Sequence, residues 1–263
     1  MKLWDISSGR EIHSFKPNAR VIDTVAFSPD GKIALSVSTI LIPGTTGIIT
    51  LWDVSNELKK IREFNGFSPP ADVIFSPDGK LALFVMYGDT MKLWDVSSGQ
   101  EIRSFPEDST NTFAAAFSPD GKLALSDSRK NGMLLWDISS GQKIRSFIGR
   151  HSNSVSAITF SPDGKLALSG SYDGTMKLWN VSNGREIRSF FNGGYSSNIN
   201  TVAFSPNGKL ALVGSDDNII KLWDMSNGRE IRFFRGHSDE VNAVAFSPDG
   251  KLALSRSYND MKL

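Results

Sequence analysis

Residues His151 to Phe190 read HSNSVSAITFSPDGKLALSGSYDGTMKLWNVSNGREIRSF, and the rest of the chain is this stretch copied, whole or worn. Its Phe-Ser-Pro-Asp-Gly-Lys anchor recurs with the aromatic residue at Phe27, Phe75, Phe117, Phe160, Phe204 and Phe246. Its Leu-Trp-Asp/Asn anchor recurs at Trp4, Trp52, Trp94, Trp136, Trp179 and Trp223, so successive Trp residues are 48, 42, 42, 43 and 44 positions apart. A period in the low forties marks supersecondary units stacked one on the next.

Within the unit, Val155–Phe160 is rich in β-branched and aromatic residues and is closed by Ser161-Pro162-Asp163-Gly164. Pro presets φ, Asp bonds locally, and Gly takes the positive φ at the exit. Lys165–Ser169 reads as a second strand, and Asp173-Gly174 turns the chain into a third, Thr175–Val181. Ser182-Asn183-Gly184 turns it again into a fourth, Glu186–Phe190. The strands are apolar on much of both faces, as expected of small sheets packed between two others. Gly or Pro falls about every ten residues, which leaves no room for long helices.

The His…Ser…Asp…Trp series, with SPDGK and LWD in six phased copies, resembles the WD-repeat β-propellers over essentially the whole chain. The resemblance implies an all-β fold: a six-bladed β-propeller of four-stranded antiparallel blades, forming a single domain over residues 1–263. It also implies a ring closed by N- and C-terminal strands sharing one blade. Val241–Phe246 and Lys251–Ser255 would then receive the strand of Trp4 and Glu11–Phe15, with Met1-Lys2-Leu3 and Met261-Lys262-Leu263 competing for one slot. A second reading takes the chain as a fragment of a longer repeat protein, since Met91 and Met176 show that the repeat carries an internal Met at this place. The protein is expected to be a monomer if the ring closes and an oligomer if it does not, because unclosed ends expose strand edges.

Composition narrows the classes of function. A net charge of +1 with no basic run argues against capture of nucleic acid or an acidic membrane surface. No 18-residue apolar run occurs and Met1 opens straight into a strand, so neither a membrane span nor a signal peptide is expected. The absence of Cys excludes disulfides and fits a soluble, cytoplasmic protein.

In the family that the chain resembles, a loop His is held between a turn Asp and a strand Ser, and the Ser meets the Trp indole. The resemblance maps these onto His151, Asp173, Ser169 and Trp179. The last copy keeps His237 and Ser255 but has Asn259 at the Asp place, and elsewhere the His place holds Asn18, Gly66, Asp108 or Tyr195. Phe84 and Val213 replace the Ser in the second and fifth copies. A His-Asp-Ser set invites comparison with a hydrolytic triad, but a Ser on a packed strand beside Trp is out of a substrate's reach. The set reads as scaffold. The three histidines fall at unrelated phases of the repeat, no thiolate or clustered-carboxylate loop accompanies them, and no Gly-rich phosphate cradle appears. No catalytic residue, cofactor or metal site is expected.

What remains is surface. SPDGK and the Ser-Ser-Gly or Ser-Asn-Gly turns share one end of the unit and are nearly alike in every copy. The opposite end varies, and there fall Tyr87, Tyr172, Tyr195 and Tyr258, joined by Arg129, Asp216, Asp239 and Glu240. Tyr offers large contact area with few torsions and a polar tip. The first full unit is longer by six residues between Leu35 and Trp52, where Ile40, Leu41 and Ile42 form an apolar stretch, read either as a lengthened hairpin or as a knob for a partner. Arg62, Arg103, Arg145, Arg188 and Arg232 are expected on outermost strands, where their charge either discourages sheet-to-sheet pairing or offers a rim site for acidic partners. These features point to a non-catalytic scaffold that docks a protein or peptide on its Tyr-bearing face. The alternatives are a sensor segment of a larger multidomain protein and an enzymatic propeller with a central-channel site.

Overall fold

The computed structural model describes residues 2–4, 10–14, 21–40, 46–55, 59–67, 70–86, 91–105, 114–128, 132–149, 151–191, 198–257 and 261–262. Among them every regular element is a β-strand. The chain divides into two compact units, Met1–Thr112 and Phe113–Leu263.

In the first unit, β1 (Lys2–Trp4) and β2 (Glu11–Ser14) form a two-stranded sheet. β3 (Val21–Phe27), β4 (Ile33–Ile40), β5 (Thr46–Asp53) and β6 (Lys59–Phe67) form a four-stranded antiparallel sheet in chain order. β7 (Pro70–Phe75), β8 (Leu81–Met86), β9 (Met91–Asp95) and β10 (Gln100–Phe105) repeat it. In the second unit the same sheet is built three times. The first copy is β11 (Ala115–Phe117), β12 (Leu123–Ser128), β13 (Gly132–Asp137) and β14 (Lys143–Ser146). The second is β15 (Val155–Phe160), β16 (Leu166–Ser171), β17 (Thr175–Asn180) and β18 (Arg185–Phe191). The third is β19 (Ile199–Phe204), β20 (Leu210–Ser215), β21 (Ile220–Asp224) and β22 (Glu230–Phe234). A three-stranded sheet follows, of β23 (Val241–Phe246), β24 (Ala253–Ser257) and β25 (Met261–Lys262).

The turn after each first strand explains why the pattern repeats so faithfully. Ser161 Oγ donates to Asp163 Oδ1 at 2.6 Å and accepts the Leu166 N–H at 2.9 Å. Gly164 takes φ 70° and donates its N–H to the Ser161 carbonyl at 2.8 Å. The same Ser–Asp bond closes the turns at Ser28, Ser76, Ser118 and Ser247, and Asn207 accepts it from Ser205. Donation from the Ser hydroxyl, then from the Lys165 N–H, holds the Asp163 carboxyl below its ordinary range.

Apolar clusters lie between successive sheets. Leu35, Val37, Ile49 and Leu51 meet Val73, Phe75, Ala82 and Trp94 in the first unit. In the second, Leu125, Met133, Leu135 and Phe147 meet Val155, Ile158, Phe160 and Trp179, and the pattern recurs around Phe190 and Trp223. This two-sided burial accounts for strands that are apolar on both faces.

Close approach between sheets also dictates two glycines. A Cβ on Gly170 would lie 2.5 Å from Ile199 Cγ2 and 3.0 Å from Val202 Cγ1, and one on Gly214 would lie 2.7 Å from Val241 Cγ1. Gly170→Val is therefore expected to destabilise the second unit by about 1–3 kcal/mol in urea unfolding. Adding Ile199→Ala should return part of that loss, because Val37 fills the equivalent place in β4 where Pro70 stands at the Ile199 position.

The strand pairing bears on two of these expectations. Of the two Met-Lys-Leu segments it is the C-terminal one that pairs with β24, through Ser255↔Lys262 and Arg256↔Met261, while in the first unit β1 pairs with β2. Loop closure favours this, since β25 follows β24 after three residues whereas β1 is separated from it by most of the chain. The six added residues of the first full unit lengthen its hairpin, with β4 and β5 paired as far as Ile40↔Thr46. Leu41 and Ile42 lie outside the described residues, as does the Ile40 side chain.

Candidate functional site

The site grows from the β15–β18 sheet. Ser169 on β16 and Trp179 on β17 stand two rungs apart, since Ala167 pairs with Trp179 and Ser169 with Lys177. Trp179 Nε1 donates to Ser169 Oγ at 2.9 Å, and His151 Nε2 lies 2.7 Å from the same oxygen. The opposite ring nitrogen of His151 lies 3.2 Å from Asp173 Oδ2 and 2.8 Å from Thr175 Oγ1. Asp173 is also held by the Thr175 hydroxyl at 2.6 Å and the Ser152 N–H at 2.7 Å. Ser169 is fully buried, Trp179 is 1% exposed, and the His151 and Asp173 side chains are 3% and 7% exposed. Burial pushes the Asp173 carboxyl up, but hydrogen bonds from His151 and Thr175, the electrostatic attraction of His151 and the Ser152 N–H outweigh it. They hold the group well below the usual carboxylate range. A Ser this deep, with its oxygen between an imidazole and an indole, ties strands together and is placed for no attack on a substrate.

The other copies grade the same design. Trp52 donates to Ser36 at 2.8 Å and Trp136 to Ser126 at 2.9 Å, and His237 Nε2 lies 2.7 Å from Ser255 Oγ. Where Phe84 and Val213 replace the Ser, Trp94 and Trp223 are 9% and 8% exposed, against 2% for Trp136 and 1% for Trp179. Thr175 and Ser152 escaped the sequence reading. Only Thr175, two residues after Asp173, offered a signal, as the start of a turn in which Asp accepts both its N–H and its hydroxyl.

A pocket of about 310 Å³ opens beside this network, lined by Asp127, Ser128, Gly132, His151, Ser152, Asn153, Ser154 and Val155. Asp127 is 2% exposed and accepts the Ala114 N–H at 2.9 Å. Tyr172, 43% exposed, stands in the turn that follows β16. Asp216 holds the same turn position after β20. Its carboxyl is pushed up by burial and then by the nearby Glu240 carboxylate. Asp239 accepts the Glu240 N–H at 2.9 Å, and the Glu240 carboxylate lies close enough to Asp216 to act on it. Tyr87, Arg129, Tyr195 and Tyr258 lie outside the described residues, as do Asn18, Asp108 and Asn259. No group of three or more His, Asp or Glu positioned to hold a metal occurs among the described residues. Nor is any of their helices long and apolar enough to cross a membrane.

The outer strands carry two further features. Arg145 Cδ lies 3.2 Å from where a Cβ on Gly184 would sit, and Arg188 Cδ lies 2.6 Å from that of Gly228. These arginines are half-buried over the glycine turn of the following sheet, so they pack sheets together as well as charging an edge. Six outer-strand isoleucines, five of them just before an Arg, are bulged: Ile12, Ile61, Ile102, Ile144, Ile187 and Ile231 are 44–56% exposed. The recurring Ile on the outer strand carried that signal, as Glu-Ile-Arg in three copies, but the bulge that turns the Ile outward depends on pairing with the neighbouring strand.

Among known proteins, no curated protein matches the chain. The family model described as WD domain, G-beta repeat matches residues 141–180, 184–224 and 228–261. Each match runs from one glycine turn towards the Trp anchor of the next repeat, across the Ser-Asp turn and the strands described above. Residues 141–261 thus match three consecutive WD repeats, which supports a WD-repeat family for this part of the chain.

Proposed function

We propose that the chain is a non-catalytic docking platform for a protein or peptide, held at the end that carries the variable turns. WD repeats generally mediate interactions between proteins and are typically not catalytic. The observation that carries the reading is a contrast between the two ends of the second unit. At the SPDGK end, Ser hydroxyls, Asp carboxylates and backbone N–H groups are committed to one another in copy after copy. Such turns present nearly the same surface each time, and a partner gains little from distinguishing them. At the other end a polar pocket, an exposed Tyr172 and the Asp216–Glu240 pair lie on successive sheets, each different from the next. In this reading Tyr87, Arg129, Tyr195 and Tyr258 extend that surface, with the apolar residues Ile40, Leu41 and Ile42 at a longer hairpin. The whole of 1–263 then acts as one six-bladed domain, with β23 and β24 as the start of the sixth blade.

Affinity capture from source-cell lysate tests it, with wild type and the triple variant Tyr87→Ala/Tyr172→Ala/Tyr258→Ala as folded baits. Specific partners are expected with wild type and are expected to weaken by about tenfold or more with the variant, as for loss of aromatic anchors. Partners retained at equal strength by both baits would sink this face and redirect attention to the apolar hairpin.

A further inference from the structure

β22 closes the strand order of its sheet, so its outer edge has no strand partner among the described residues. An open edge pairs readily with another chain, and bulges and charges are the usual protection against it. In β14 and β18 the bulged Ile is followed by Arg145 or Arg188 and then by an exposed Ser, Ser146 or Ser189. β22 departs from that pattern. Phe233 stands where the Ser would be and is 51% exposed, two residues from Ile231 at 50%. Ser146 and Ser189 are exposed although a further sheet follows each, so this place is open whatever comes after β22.

The strand register defines what this edge offers. Phe147 donates its N–H to the Met133 carbonyl at 2.9 Å, and Phe234 stands at the same place against Ile220. Alternation along an antiparallel pair then points the N–H and C=O of Phe233 outward, to the open edge. The bulge sets Glu230 opposite Trp223 and Arg232 opposite Leu222, so Glu230 occupies the rung next to Arg232. Glu230, Phe233 and Arg235 consequently share one face. Two contacts agree with this: Glu230 Oε2 lies 3.7 Å from Nζ of Lys221, the residue paired with Phe233, and the Arg235 guanidinium lies 5.2 Å from the centre of the Phe233 ring. Along every second rung the face reads acidic, aromatic, basic.

We infer that β22 pairs edge to edge, antiparallel, with β22 of a second copy of this chain, on a dyad axis at Phe233. In that register Phe233 meets Phe233 of the second copy, Glu230 meets Arg235 and Arg235 meets Glu230. On the other face Arg232 falls opposite Phe234, a guanidinium beside a ring. No like charges meet at any of these rungs, and this charge complementarity selects a second copy over an unrelated strand. The other outer strands of the unit lack it. The same axis would set Lys143 against Ile148 beside β14, and Glu186 against Phe191 in β18, with only a Ser at the centre. The contact uses the same patch on both copies, so it closes at two chains.

Sedimentation equilibrium or light scattering on the full chain, from about 1 µM to about 1 mM, tests this. The expected result is a rise from 28.8 kDa to twice that mass. Phe233→Ser, which installs the residue of the neighbouring copies, should weaken dimerisation about tenfold or more. Arg235→Glu sets acidic residues opposite one another and should also weaken it about tenfold. Glu230→Arg/Arg235→Glu restores opposite charges at both rungs and should return the affinity to within about threefold of wild type. Phe233, Arg235 and Glu230 are all exposed, so these substitutions leave the packed sheets standing, which circular dichroism checks. A mass of one chain at every concentration overturns the inference. So does an assembly of unchanged strength in Phe233→Ser and Arg235→Glu, or one that the double exchange fails to recover.

Discussion

Trp179→Ala should lower the unfolding free energy of the second unit by about 3–5 kcal/mol, the range for emptying a large aromatic site. Trp179 is 1% exposed, lies edge-on to Phe147 and sits in a cluster with Leu125, Met133, Phe160 and Ala167. Its loss leaves a cavity between two sheets as well as an unfilled place at Ser169 Oγ. Trp179→Phe separates these contributions. The smaller ring keeps much of the packing but removes the 2.9 Å bond to Ser169, so a loss of about 1–3 kcal/mol is expected. Trp223→Phe is the internal comparison, because Val213 stands where the Ser would be. It should cost about 1 kcal/mol less than Trp179→Phe, the net value of one hydrogen bond. Urea unfolding followed by circular dichroism checks the series, and equal losses for the two Trp→Phe variants would show that the indole bond contributes nothing.

How far the sequence was readable follows from what each feature depends on. The β15 strand was expected at Val155–Phe160 and is found there, because a Ser-Asp turn of local hydrogen bonds ends it. The third strand was expected to run to Val181 and stops at Asn180, whose side chain accepts from Ser182 and begins the next turn. Such features are decided within a few residues and can be read by position alone. The His151–Asp173–Ser169–Trp179 geometry was reached through the family's pattern, not through spacing, since its members are up to 28 residues apart.

Features set by a neighbouring sheet were not legible. Arg188 looked like a charge on an edge, yet it covers the Gly228 turn of the following sheet. Ile187 looked like half of an alternating strand, but the register shift between Leu178 and Trp179 bulges it outward to 50% exposure. The pairing of β25 with β24 depended on a competition between identical Met-Lys-Leu triplets, which sequence similarity by itself cannot rank. Loop length ranks them.

Removing the carboxylate of the network should be nearly as damaging as removing Trp179, and with a signature in pH. Asp173→Ala is expected to cost about 2–4 kcal/mol near neutral pH, because His151, the Thr175 hydroxyl and the Ser152 N–H all lose their acceptor in a nearly buried place. The carboxyl of Asp173 is held below its ordinary value of 3.8, so the folded state binds the proton less readily than the unfolded chain. Its contribution is therefore present above that value and is lost as the pH falls below it towards the folded-state value. The gap in unfolding free energy between wild type and Asp173→Asn should accordingly be widest near neutrality and shrink on acidification. Asn keeps an oxygen for the Thr175 N–H but cannot offer a charge, which makes it the cleaner probe of the electrostatic part. Comparing differences at each pH cancels the shared acid dependence of the turn carboxylates, among them Asp163 and Asp249, which are also held low. A gap that stays constant, or grows, as the solution is acidified would mean that the carboxylate's charge does not stabilise this network and that its role is geometric alone.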